Sequence, residues 1–60
     1  MYNFNNKYMN LHIVKVLSIY RYSNKICIKY LSPELKDDII CLDSEEEAIE
    51  MYNDLMQKIK

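Results

Sequence analysis

Sixty residues make one domain at most, and half of them are apolar, so a chain of this size folds with little stability to spare unless it is stapled or self-associates. Two cysteines exclude a disulfide-rich secreted scaffold, and a single histidine with no Cys-x-x-Cys spacing excludes a closed zinc site within one chain. The net charge of −1 hides a division: residues 1–31 carry five cations and no acid, whereas residues 32–60 carry all nine acids and three lysines.

Residues 1–10 (MYNFNNKYMN) alternate Tyr2 and Phe4 with Asn3 and Asn5. They read either as a loose tail over 1–8 or as a short strand that orders on a partner. They lack the apolar run of a signal peptide. Residues 11–22 (LHIVKVLSIYRY) are rich in Ile, Val, Leu and Tyr and form a first strand, long by ordinary standards. The run is interrupted by His12, Lys15 and Ser18, and it is too short and too polar to span a bilayer. The reading is therefore a cytoplasmic protein with no membrane partner and reduced thiols.

Ser23-Asn24 is a two-residue turn; glycine is absent from the chain, so asparagine is expected to supply positive φ. Residues 25–31 (KICIKYL) form a second strand. Pro33, within the connection 32–36, stops the ladder, and residues 37–43 (DDIICLD) form a third strand. Closing both hairpins symmetrically aligns Ile19, Ile28 and Ile40 in one row and sets Cys27 opposite Cys41. The isoleucine row defines the core face. The other face holds Tyr20, Tyr22, Lys25, Lys29 and Ile39.

Ser44-x-x-Glu47 is a capping box. Glu45, Glu46 and Glu47 favour the positive end of a helix dipole, and Lys58 and Lys60 the negative end. Ala48, Tyr52, Leu55 and Ile59, widened by Ile49, Met51 and Met56, form an apolar stripe, and Asp54 and Lys58 make an i,i+4 pair. The fold class is α+β: a three-stranded antiparallel β-meander over 9–43 followed by an amphipathic helix over 44–60 packed on one sheet face.

The first strand, so read, overhangs its partner. Leu11, Ile13 and Val14 need cover, from residues 1–8, from a second copy or from another protein; two-fold pairing with a second copy would join two meanders into one sheet and give a homodimer. No arrangement of residues suggests catalysis or a cofactor: His12 is far from both cysteines, Ser18 has no base in reach, and the acidic run lacks the spacing of a calcium loop. The chain therefore reads as a non-enzymatic module. Its interface residues would be Leu11, Ile13 and Val14 along the overhang and Tyr20, Tyr22 and Lys29 on the open face. A protein partner is the first reading. Tyrosines interleaved with lysines also suit single-stranded nucleic acid, and salt dependence separates the two.

Ile, Asn, Lys, Tyr, Met and Phe make up more than half of the chain, while Gly is absent and Ala, Arg and Pro occur once each. Codon content of this kind suggests an AT-rich genome. In size, composition and strand-to-helix layout the chain resembles the small AT-rich proteins encoded by phages of low-GC bacteria. Many of those bind and block a host protein, including components of bacterial defence. The resemblance implies an inhibitor acting in the bacterial or host cytosol. A housekeeping or toxin–antitoxin adaptor is the nearest competitor.

Overall fold

A computed structural model describes residues 1–59. The chain is α+β, with one C-terminal helix and five strands rather than three: a three-stranded antiparallel meander forms one sheet, and an additional two-stranded sheet precedes it. Strands β1 (Tyr2–Phe4) and β2 (Lys7–Met9) form a hairpin. A 3₁₀ turn (Ile13–Lys15) leads into β3 (Val16–Tyr22), which pairs with β4 (Lys25–Tyr30), and β4 pairs with β5 (Asp38–Cys41). Helix α1 (Glu45–Lys58) closes the chain. Lys60, which the sequence assigns to the last turn, lies outside the described residues.

The N-terminal hairpin follows from Asn5 and Asn6. Both have positive φ, 49° and 64°, the signature of a type I′ turn, whose twist suits a two-residue hairpin. Tyr2 is thereby turned inward and buried, with Phe4 and Met9 packed against the same core. At the second hairpin the positive φ (57°) falls on Ser23, not on asparagine. Asn24 instead ties the turn to the chain beyond β5. Its Nδ2 donates to the Leu42 carbonyl (2.7 Å), and its own carbonyl accepts from Leu42 N–H (2.8 Å).

The β3–β4 register agrees with the symmetric hairpin, pairing Ile19 with Ile28 and Tyr22 with Lys25. A bulge at Leu17 shifts it by one residue, so that Val16 pairs with Tyr30. The β4–β5 register departs from the expectation by two residues. Ile28 faces Asp38 and Ile26 faces Ile40, so the all-isoleucine row does not form. Cys27 lies opposite Ile39, and Cys41 opposite Lys25, which leaves the two free cysteines diagonal to each other. The slip has local causes: the Asn24–Leu42 bonds pin the far end of β5, and the Tyr30 hydroxyl donates to Asp38. A shift of two leaves every side chain on its original face, so Ile26, Ile28 and Leu42 still point at the helix side and are buried.

Helix α1 starts as the capping box requires on one side only. Ser44 Oγ accepts from Glu47 N–H at 3.2 Å, but the Glu47 carboxylate takes the Lys7 ammonium at 2.8 Å. The buried stripe is Ala48, Met51 and Leu55; Tyr52, Met56 and Ile59 flank it, and Ile49 is exposed. Asp54 accepts from the Tyr2 hydroxyl rather than meeting Lys58. Burying Ile26, Ile28, Met51 and Leu55 completely stabilises the fold by about 1.5–3 kcal/mol each. Helix and hairpin thus share one side of the β3–β4–β5 sheet.

Candidate interaction surface

The other side of that sheet is bare. Alternation along β4 sends Ile26, Ile28 and Tyr30 into the core and Lys25, Cys27 and Lys29 outward. β3 adds Ser18, Tyr20 and Tyr22 to the outward set, and β5 adds Ile39 and Cys41. The register builds the cross-strand rows Tyr20–Cys27–Ile39 and Tyr22–Lys25–Cys41. Tyr22 is 74 % and Ile39 68 % exposed. The Lys29 ammonium stands 5.9 Å from the centre of the Tyr20 ring, within the range of a cation–π contact. Leu17, looped out by the bulge, and Leu31, just beyond β4, extend the exposed apolar surface at one end.

Of the residues assigned to an interface from sequence, Tyr20, Tyr22 and Lys29 come together here. Leu11, Ile13 and Val14 do not form a strand overhang. Lys15 N–H bonds to the His12 carbonyl (2.9 Å) and closes the 3₁₀ turn. Leu11 and Ile13 tuck against the core while Val14 points away, 90 % exposed. The cover they needed comes from within the chain. Ile39 is the residue that sequence reasoning left out of the interface, although its place on the helix-free face was legible from the alternation.

Some of the charged groups are engaged internally. Lys7 bridges Glu47 (2.8 Å) and Asp43 (3.6 Å), and Arg21 meets Glu45 at 3.3 Å. The acidic start of the helix thus answers cations from the basic half, and the hydrogen bond from Lys7 to Glu47 holds the ammonium above its ordinary pKa. Burial, reinforced by the bond to Asp38, raises the Tyr30 hydroxyl to about 12. Burial and the bond to Asp54 push Tyr2 up as well. His12 packs edge-on against the Tyr30 ring, centroids 5.3 Å apart. Among the described residues there is no pocket and no cluster of metal-ligating side chains, and no helix is long and apolar enough to cross a membrane. No family model, curated protein or solved structure matches the chain.

Proposed function

We propose that the chain is a non-enzymatic protein-binding module that works as a homodimer and blocks the protein surface it covers. One observation carries this reading. The helix and the hairpin cover one face of the sheet, while Tyr20, Tyr22 and Ile39 stand exposed together on the other. Tyrosine is enriched in protein interfaces, and an exposed aliphatic residue beside it loses water when a partner docks. Size and composition extend the proposal to an inhibitor of phage or mobile-element type that acts on a host protein in the cytosol, with a defence component as one target class.

The face is a poorer platform for nucleic acid. Lys29 already stands over the Tyr20 ring, where a base would stack, and Arg21 is engaged by Glu45. The test is affinity capture from nuclease-treated lysate of a low-GC bacterium, with wild type and Ile39→Lys run side by side. A single protein retained by wild type at high salt and lost by Ile39→Lys is the expected result. Capture that depends on nucleic acid, or that survives Ile39→Lys unchanged, overturns the reading.

A further inference from the structure

The three-stranded sheet has two outer edges, and they are built differently. β5 has four residues, begins at Asp38 and is flanked by Asp37 and Asp43. Short, charged edges are how proteins discourage strand addition. β3 has seven residues, no proline and one charge, Arg21. That charge is tied down: its guanidinium donates to the Ser23 carbonyl (3.0 Å) and to Glu45 (3.3 Å). The bulge at Leu17 disturbs only the start of β3, leaving Ser18–Tyr22 straight. Among the described residues no backbone hydrogen bond reaches β3 from outside its pairing with β4.

The direction of the free groups is fixed by the hairpin. A two-residue loop makes Tyr22 and Lys25 a hydrogen-bonded pair, so Ser18 and Tyr20 also bond toward β4. The main-chain N–H and C=O of Ile19 and Arg21 therefore point outward. Antiparallel pairing of β3 with β3 of a second copy has three ways to align these groups. Centring on Arg21 sets two cations face to face, which opposes association. Centring on Ile19 runs the pairing into the bulge. Centring on Tyr20 uses the whole straight segment, pairing Ile19 with Arg21 of the partner copy and giving about four new backbone hydrogen bonds. It also sets the two Tyr20 rings side by side on the open face.

We infer that the occupant of the β3 edge is a second copy of this chain, joined with its two-fold axis at Tyr20, and that the partner surface is a composite of both copies. Area supports this inference, which rests on the protein-binding reading above. Three strands about 4.8 Å apart and five residues long offer a plan area of roughly 250 Å² before side-chain relief is counted. A standard interface takes about 800 Å² from each side. On this plan measure one copy offers about a third of that and two copies roughly two thirds. Two copies joined edge to edge make one six-stranded face of twice the plan area, with Tyr20 and Tyr22 of both copies at its centre and each Ile39 toward its margins.

The test needs only the chain itself. Light scattering across a concentration series is expected to give twice the 7.3 kDa chain mass. Tyr20→Lys, which brings two cations together at the axis and removes the ring contact, is expected to weaken the dimer on the order of 30-fold. Ile39→Lys is expected to leave the dimer intact. In a Cys27→Ser, Cys41→Ser background, mild oxidation is expected to cross-link Tyr20→Cys into a covalent dimer and to leave Ile39→Cys monomeric on a non-reducing gel. A wild-type mass of 7.3 kDa at every concentration overturns the proposal. So does a dimer indifferent to Tyr20→Lys, or equal cross-linking through both positions. A confirmed dimer that captures no protein would instead count against the protein-binding reading and leave the seam standing.

Discussion

β4 lies between two environments that share one backbone. Its even residues, Ile26 and Ile28, are fully buried under the helix, while its odd residues, Lys25 and Lys29, are exposed. The helix side holds the fold together. The other side does little for it, yet keeps tyrosines and an isoleucine in water. A chain this small has few apolar side chains to leave idle, so the contrast separates what specifies the fold from what is available for binding.

The largest expected break is Ile28→Asp. It buries an unpaired carboxylate at the centre of the helix side, and the expected outcome is a chain with no cooperative melt by circular dichroism; a wild-type transition would refute the assignment of that face. Leu55→Ala, on the helix stripe, is expected to lower stability by about 2–5 kcal/mol in urea titration. Ser44→Ala removes the side-chain acceptor for Glu47 N–H and is expected to cost about 1 kcal/mol by the same measurement.

A pH scan sharpens the same boundary from the polar side. Tyr30 titrates at about 12 in the folded chain against 10.0 for an ordinary tyrosine, so the unfolded chain gives up this proton first. The stabilisation is complete below pH 10 and is lost as pH rises toward 12. The melting temperature of wild type is expected to fall across that window, and that of Tyr30→Phe to fall less. The smallest expected effect on stability belongs to the open face, where Ile39→Lys and Tyr22→Lys should stay within about 0.5 kcal/mol of wild type.

The same contrast explains how much was legible in the sequence. Side-chain alternation has a period of two, so the buried face of the sheet was readable even where the β4–β5 partners were not, because a slip of two residues moves no side chain across the sheet. The helix boundary was readable because Ser44 and the acids after it act locally. The β5 register was not, because it depends on Asn24 reaching Leu42 and Tyr30 reaching Asp38, contacts that a symmetric loop does not anticipate. The N-terminal hairpin had a local signal in Asn5-Asn6 between aromatics, but strands of three residues gain their stability from Tyr2 entering a core whose location the sequence does not state. Of the interface, Tyr20, Tyr22 and Lys29 followed from alternation. Leu11, Ile13 and Val14 did not follow, because the apolar run continues through a 3₁₀ turn that composition does not distinguish from a strand.

The most direct test of the central claim is to compare capture of a protein partner by wild type and by Ile39→Lys, with both chains shown by their melts to be equally folded. The variant is expected to keep its fold and lose the partner. A variant that holds the partner as tightly as wild type would contradict the claim and move the binding surface away from the open face.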